Sequence, residues 1–264
     1  MKVRPCAVAG SFYPAESSHL RQLLEKFFRA EAIESGKGAD GIVAPHAGYI
    51  YSGAVAASAF SVIPQGFSGT FVVIGPSHRG YMTCTSEIPW ETPLGTVSND
   101  TDFVRELNIE ADEASHRNEH SLEVQMPFIR LRFPDAKIAP IMMGHQDIAS
   151  SRIVAQRIVE AAKKTKREIR IVASSDFSHY VPEQKAKSDD VYAIEPLTHL
   201  DTTEFYRRIM EKQVTACGYG PIAAMVQACQ SSGAKEAKII RYATSGDVTG
   251  DRHEVVGYAA IAVM

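Results

Sequence analysis

Four short runs of apolar, largely β-branched residues restrict the folds open to this chain. They occupy residues 41–44, 70–74, 137–142 and 169–173, and each stops at or close to a Pro, Gly or Ser. Continuous apolar runs of this length are typical of strands that are buried on both faces. Such strands occur in parallel sheets covered by helices, so the runs favour an α/β fold.

Helical patterns separate these runs. Residues 52–62 are small and Ala-rich, and residues 148–164 place apolar side chains on one stripe with charges elsewhere. Because strands and helices alternate, we expect a largely parallel central sheet with helices on both faces. No linker or repeat divides the chain, so residues 1–264 are interpreted as a single domain.

Two segments depart from this alternation. Residues 84–97 contain Pro89, Pro93 and Gly95 between short β-like pieces, which indicates a hairpin or a bent excursion. Residues 238–242 and 255–263 are both β-like and flank a turn, which predicts a closing antiparallel pair. The sheet is therefore expected to be mixed.

Composition and charge exclude several classes of protein. Hydrophobic residues make up 45% of the 264 residues and charged residues 22%, which is typical of a globular chain. The net charge of −3 gives no general basic footprint for nucleic acid, and the basic run at 163–167 is interpreted as a solvated helix end. No apolar stretch is long enough to span a membrane. We therefore expect neither nucleic acid nor a membrane as a partner.

The cysteines indicate the redox environment. They lie far apart, form no CxxC pair, and occupy positions 6, 84, 217 and 229. A disulfide framework is not expected in a chain of this size, and no secretory signal core is recognisable near the N-terminus. We expect a cytoplasmic protein with reduced thiols.

Three predicted strands are followed shortly by a histidine. These residues are His46, His78 and His179. Ligands of open α/β sheets bind outside the carboxyl ends of the strands, so the three imidazoles are expected to line one cleft. A single histidine is most often a hydrogen-bonded structural residue, whereas three in equivalent places favour a functional site.

Cys217 is a further candidate. It lies beside two glycines and just before a predicted helix at 222–230, whose N-terminus would favour a thiolate. Two histidines and one cysteine form a recognised metal-ligand set with open coordination positions. The alternative is a small buried hydrophobic residue, an interpretation that suits Cys229 better because Cys229 lies on the apolar side of that helix.

Other polar residues cluster near these candidates. If a helix starts near Ser121, His120 lies at its mouth and Glu123 in its first turn, where an acidic residue often serves only as a cap. Asp176 and His179 are expected to form an acid/base pair, with the carboxylate orienting the imidazole.

Six segments of the chain together resemble the Memo family. They are RPCAVAGSFYP at 4–14, APHAGY at 44–49, GPSH at 75–78, EHSLEVQ at 119–125, SSDFSHY at 174–180 and ACG at 216–218. The resemblance extends along essentially the whole chain and implies one Memo-like domain over residues 1–264. Prokaryotic members of this family are called AmmeMemoRadiSam system protein B.

The resemblance implies a fold like that of the class III extradiol ring-cleaving dioxygenases, which hold non-haem Fe(II) with two His and one carboxylate. The metal-binding histidines of the family fall on His46 and His78, and the third ligand position carries a Cys in Memo-type members, here Cys217. The resemblance therefore implies Fe(II) as the expected cofactor. Copper and zinc are alternatives, because a thiolate is softer than a carboxylate. Other polar residues of the family's cleft match His120, Asp176 and His179.

The first hypothesis is therefore a metal-dependent oxidoreductase. Dioxygen or a small phenolic or carbonyl substrate would occupy the open coordination positions. His179 would move protons, Asp176 would orient it, and His120 would contact the substrate or bound oxygen.

Two other functions remain open. A vertebrate member of the family is described as binding phosphorylated receptor tails, which implies a non-catalytic peptide- or phosphopeptide-binding module. The prokaryotic family name also suggests AMMECR1-like and radical-SAM proteins as partners. A zinc hydrolase ranks third, because two His, one Cys and an open position can activate water. The HExxH, GxSxG and P-loop motifs are absent, and the run at 36–38 is too short to indicate phosphate binding.

Overall fold

The computed structural model describes residues 2–30 and 38–264, so most of the run at 36–38 lies outside the described residues. The strands are β1 (Gly41–Ala44), β2 (Thr70–Pro76), β3 (Cys84–Thr85), β4 (Lys137–Met143), β5 (Ile169–Ser174), β6 (His179–Val181), β7 (Ala237–Thr244) and β8 (Val255–Val263). The helices are α1 (Ser17–Ala30), α2 (Tyr49–Ser61), α3 (Thr101–Glu106), α4 (Glu113–His116), α5 (Met126–Arg132), α6 (Ile148–Thr165), α7 (Glu183–Ile194), α8 (Thr202–Lys212), α9 (Tyr219–Ser231) and α10 (Gly246–Thr249). Short 3₁₀ helices cover Glu123–Gln125 and Glu195–His199.

The strands described form one sheet in the order β3-β4-β2-β5-β1-β8-β6, with β7 also paired to β8. The central strands β4, β2, β5 and β1 run parallel, and the outer strands pair antiparallel. The four apolar runs of the sequence are these four parallel strands, and each begins at the predicted residue. The α/β fold with a mixed, mostly parallel sheet is therefore confirmed.

Both faces of the sheet are covered by helices, as predicted. On β2, Val72 packs into a core that includes residues of α3, α6 and α9, whereas its neighbour Val73 packs into a core with α1, α2 and α5. Successive residues of a strand point to opposite faces, so a strand between two helical layers must be apolar at every position. This requirement explains the continuous apolar runs.

The two segments that depart from the strand–helix alternation form antiparallel structure, as predicted. Strands β7 and β8 form the antiparallel pair, with α10 in the turn between them. In the excursion at 84–97, β3 pairs antiparallel with β4, and Trp90 forms an antiparallel bridge with Val97. Both segments extend the sheet away from its parallel centre.

The state of the cysteines and the character of the helices are two further features of the fold. All four cysteines are free, and Cys229, a residue of α9, is buried in the core as a small hydrophobic residue. Within residues 2–30 and 38–264, every helix is too short or too polar to cross a membrane.

Candidate metal centre

The carboxyl ends of three adjacent strands bring the candidate side chains together. His78 follows β2, Asp176 follows β5 and His46 follows β1, and these strands are neighbours in the sheet. Together with His120 and His179 they line a cavity of about 570 Å³, here called the histidine cavity. The sequence-based expectation of a shared cleft thus describes the observed arrangement.

His46 is buried, and Ser174 orients its ring. Ser174 Oγ donates to the carbonyl oxygen of Ser121 at 2.6 Å and accepts from Nε2 of Gln125 at 2.8 Å. A hydroxyl has one proton, so His46 Nδ1, at 2.9 Å from Ser174 Oγ, must be the donor in that contact. His46 Nε2 is therefore the unprotonated ring nitrogen, which is the form of imidazole that binds metals.

Glu119 orients the His78 ring in the same way, through a hydrogen bond at Nδ1. The backbone N–H of His78 donates to Glu119 Oε2 at 2.8 Å, and Nδ1 lies 2.9 Å from Oε1. Burial alone would raise the pKa of the Glu119 carboxyl, but hydrogen bonds from His78 and Ser121 hold that pKa well below its usual range. Because a carboxylate only accepts, His78 Nδ1 carries the proton and Nε2 is free.

His120 completes a group of three imidazoles. Its ring stacks on His78 with centroids 4.4 Å apart and contacts Phe12 at 4.7 Å. Burial and the neighbouring His78 lower the pKa of His120 to about 4, and burial with both neighbouring histidines lowers the pKa of His46 well below its usual range. His46 and His120 are therefore neutral at physiological pH and can donate nitrogen lone pairs.

Cys217 lies on the other side of His46. Its Sγ is 3.1 Å from His46 Nε2 and accepts from the backbone N–H of Asp176 at 3.2 Å. Because His46 Nε2 is unprotonated, the thiol is the donor in the first of these contacts. Burial, then the Asp176 carboxylate, raises the pKa of Cys217 well above its usual range. Burial thus has a larger effect on the pKa of the thiol than the N-terminus of α9, which the sequence predicted to favour a thiolate.

Gly218 allows this close approach of Cys217 to the sheet. A Cβ at Gly218 would lie 2.4 Å from the carbonyl oxygen of Ser174, at the end of β5. The N-terminus of α9 can pack there only because Gly218 has no side chain. The glycine beside Cys217 therefore places the thiol next to His46.

The described part of the chain contains two overlapping groups of possible metal ligands. Within each group, all the ligand atoms lie within 4.8 Å of one another. One contains His46, His78 and His120, and the other contains His46, Asp176 and Cys217. The expected trio of His46, His78 and Cys217 spans both groups, because His78 and Cys217 approach His46 from different sides. His46 is the side chain common to both groups.

The structure corrects the expectation that Asp176 orients His179. His179 Nδ1 lies 2.9 Å from the carbonyl oxygen of Thr215, which only accepts, so Thr215 fixes this ring and leaves Nε2 unprotonated in the neutral form. Asp176 Oδ1 accepts instead from the backbone N–H of His46 at 2.9 Å. Burial raises the pKa of Asp176 to about 6, although the His46 hydrogen bond opposes the shift.

A distortion of β6 places two successive side chains at the histidine cavity. His179 and Tyr180 both line it, although neighbours in a regular strand face opposite sides. The register shifts between His179 and Val181, and Tyr180 has a φ of 55°. A positive φ is strained for a bulky residue, and such strain is concentrated at functional sites.

Glu123 does more than cap a helix. Its carboxylate is fully buried and accepts from Arg4 Nη1 at 2.6 Å and from Tyr13 OH at 2.7 Å. It also accepts from the backbone N–H groups of Ala7 and Val8 at 2.9 Å. Glu123 therefore fastens the N-terminal segment, which carries Phe12, against the histidine cavity.

Sequence reasoning missed the residues that orient the rings. Glu119 and Ser174 lie within segments that point to the site, one directly before His120 and the other two residues before Asp176. Their positions in the sequence indicated that they lie near the site. Which histidine ring each one orients, however, depends on contacts between distant parts of the chain. Thr215 gave no signal, because its backbone carbonyl orients the His179 ring, while its Oγ1 accepts only from the His179 backbone N–H at 2.8 Å.

The chain resembles known proteins along almost its whole length. The profile of a family described as Memo-like protein matches residues 4–262. A MEMO1 family protein of Methanococcoides burtonii is 45% identical over 267 residues, which cover 99% of this chain and 100% of that protein. A MEMO1 family protein of Methanothermobacter thermautotrophicus is 41% identical, with 98% and 100% covered. The crystal structure of the uncharacterized protein JW3007 from Escherichia coli aligns with a TM-score of 0.45 and 13% identity, and covers 77% of this chain and 88% of that one.

Proposed function

Because the chain belongs to the Memo-like family, we propose that it binds one transition-metal ion beside His46 and acts as a non-haem iron-dependent oxidoreductase on a small substrate in the histidine cavity. One observation carries this proposal. Ser174 and Glu119 each hold the Nδ1 proton of a histidine, and so leave the Nε2 atoms of His46 and His78 unprotonated. This arrangement, in which a partner holds the second nitrogen, is how proteins prepare histidines for metals.

The donor atoms of His46 and Cys217 fit such an ion. Nitrogen and sulfur ligands at about 2.0 Å and 2.3 Å from a tetrahedral ion lie roughly 3.5 Å apart. His46 Nε2 and Cys217 Sγ are 3.1 Å apart, close to that separation. We assign His46 and His78 as nitrogen ligands and Cys217 as the third ligand. Cys217 must release its proton when the ion binds, and it must also move toward His78, because the donor atoms of His78 and Cys217 belong to separate groups around His46. Fe(II) is the proposed ion, with copper or zinc as alternatives for a soft thiolate.

Bound iron would supply the redox chemistry, and the chain would supply proton transfer and orientation. His179 Nε2 is free to accept a proton from a substrate in the cavity, while Thr215 keeps the ring in place. Asp176 has a pKa of about 6, near the range in which general acids and bases work best. His120, neutral and stacked on His78, is placed to contact the substrate.

Metal content tests the site. The protein would be prepared without oxygen, loaded with Fe(II) and desalted, alongside His46→Ala and a control, His199→Ala, whose side chain is 79% exposed. We expect the wild type and the control to retain iron in equal amount and His46→Ala to lose most of it. Equal iron, copper and zinc in all three proteins would contradict the site.

Oxygen uptake tests the reaction. Iron-loaded protein would be mixed with small phenols and carbonyl compounds in an oxygen electrode, and His179→Asn would be the comparison. Uptake that depends on a substrate and falls in His179→Asn would support the oxidoreductase. Iron binding without uptake for any compound would favour the non-catalytic, peptide-binding alternative.

A further inference from the structure

A second cavity of about 480 Å³, here called the apolar cavity, adjoins the histidine cavity. The two share three lining residues, Phe12, Gly48 and Tyr51. We propose that the apolar cavity is a subsite for an apolar arm of the same small molecule whose polar head lies among the histidines. The inference rests on the proposed function, because the metal site would hold the head.

The walls of the apolar cavity present carbon rather than polar atoms. Tyr13 and Tyr49 line it, but both hydroxyls are used elsewhere: Tyr13 OH donates to Glu123 at 2.7 Å and Tyr49 OH to the carbonyl oxygen of Val124 at 2.7 Å. The two tyrosines therefore offer only their rings. The other apolar lining residues are Pro14, Ala15, Leu23 and Ile50.

Two polar residues of the rim, Glu16 and Ser11, already form hydrogen bonds with the backbone. Glu16 accepts from the backbone N–H groups of Ser18 at 2.9 Å and His19 at 2.7 Å, at the start of α1. Ser11 Oγ donates to the carbonyl oxygen of Val8 at 2.9 Å. Away from the exposed Glu16 and His19 side chains of the rim, a charged or strongly polar arm would lose its hydration with little compensation, so the fitting ligand is apolar.

The wall between the two cavities is fixed in place. The backbone N–H of Tyr49 donates to the carbonyl oxygen of Phe12 at 2.8 Å, and Gly10 N–H donates to that of Tyr13 at 2.7 Å. The Phe12 ring contacts the His120 ring at 4.7 Å, so the apolar cavity begins directly beside the histidines. A ligand held at the histidines therefore needs only a short arm to enter it, and the space is already formed.

The first turn of α2 supplies a further sign. Ile50 and Tyr51 are 64% and 37% exposed although both are large and apolar. Both follow His46 within the same short segment; Tyr51 lines both cavities, and Ile50 lines the apolar cavity. Contact with an apolar ligand arm would bury this surface, which is otherwise unfavourable in water.

A series of n-alkyl hydroxamates, from acetohydroxamate to octanohydroxamate, tests the subsite. The probes would be titrated calorimetrically into protein loaded with Zn(II), a redox-inert ion that hydroxamates coordinate. Each methylene buried in an apolar site is expected to tighten binding by roughly fourfold until the arm fills the cavity. Ala15→Trp, which would fill the apolar cavity, is expected to abolish this gain. Ile153→Trp, at a position 57% exposed on α6, is the matched control and should retain it.

The outcomes separate the subsite from the metal site. Acetohydroxamate binding with no gain along the series would overturn the subsite alone. An equal gain in Ala15→Trp and Ile153→Trp would also overturn it, because the arm would then lie elsewhere. Failure of acetohydroxamate itself to bind would contradict the proposed metal site and, with it, this inference.

Discussion

His46 and His116 are both buried histidines, and their surroundings differ in one respect that decides their roles. Burial lowers the pKa of both, to about 4 for His116, with Arg4 as the second cause there. His46 has Ser174 on Nδ1 and Cys217 near Nε2. His116 lies against Trp90 at 5.5 Å. In the described part of the chain neither ring nitrogen makes a well-formed hydrogen bond, although the nearby Cys84 backbone opposes the lowering of the pKa.

The comparison shows that a depressed histidine pKa does not by itself indicate a metal ligand. Burial alone produces that shift. What distinguishes His46 is a partner that fixes the proton on one nitrogen and directs the other toward the cavity. His116 has no such partner and behaves as a structural side chain. Substitutions near His116 should therefore alter stability, whereas substitutions beside His46 should alter metal binding.

The largest effect is expected next to His116, at the buried ion pair of Arg4 and Glu123. Their side chains are 2% and 0% exposed. Arg4→Met should reduce the free energy of unfolding by about 3–5 kcal/mol, because it leaves the Glu123 carboxylate buried without its partner. Arg29→Met, which removes an exposed pair with Glu25, should cost at most about 1 kcal/mol in the same urea titration. Equal losses would show that the Arg4 pair is not structurally important.

His116→Phe should change how stability depends on pH. The folded pKa of about 4 lies below the usual 6.5, so the folded state favours neutral His116, and its contribution is lost as pH falls from about 6.5 to 4. That loss amounts to about 3 kcal/mol for a shift of this size. The variant should lack it, and the other buried histidines cancel in the comparison. Urea titrations at several pH values would measure the difference; parallel curves would contradict it.

Glu119→Gln should weaken metal binding while leaving the fold largely intact. The carboxylate accepts from both the backbone N–H and Nδ1 of His78, whereas an amide has one accepting oxygen and cannot replace both contacts. Losses of such partners lower metal affinity by roughly 10- to 100-fold. Competition with a chelator would measure the affinity for Zn(II). Glu106→Gln, which removes an exposed carboxylate paired with Lys164, is the control. An unchanged affinity in Glu119→Gln would show that His78 needs no orientation or binds no metal.

The smallest effect is expected for Ser174→Ala. This variant should lower the affinity for Zn(II) by about tenfold, the low end of the range expected for Glu119→Gln. Without Ser174 Oγ, His46 Nδ1 has no fixed acceptor, and the proton can move to Nε2. Ser188→Ala, on the exposed side of α7, provides the control. A larger loss than in Glu119→Gln would reverse the order proposed for the two orienting residues.

The strands could be predicted because their positions follow from burial alone. Ile42 packs on one face of β1 and Val43 on the other, so each position had to be apolar and the run was visible in the sequence. His46 and His78 were predictable for a related reason, since strand ends in a parallel sheet meet at one edge.

The partners of those side chains could not be predicted in the same way. Arg4 and Glu123 are 119 positions apart in the sequence, and His46 and Ser174 are 128 apart. No local pattern links such residues. The Asp176–His179 pairing was suggested by proximity in the sequence, but the distorted β6 turns His179 toward Thr215 instead.

X-ray absorption at the zinc edge tests the metal assignment most directly. Zn(II)-loaded wild-type protein should show imidazole nitrogens at about 2.0–2.1 Å and one sulfur at about 2.3 Å. The sulfur should disappear in Cys217→Ser, and one imidazole should disappear in His46→Ala. A spectrum without imidazole, or one that neither substitution changes, would contradict a metal centre built around His46.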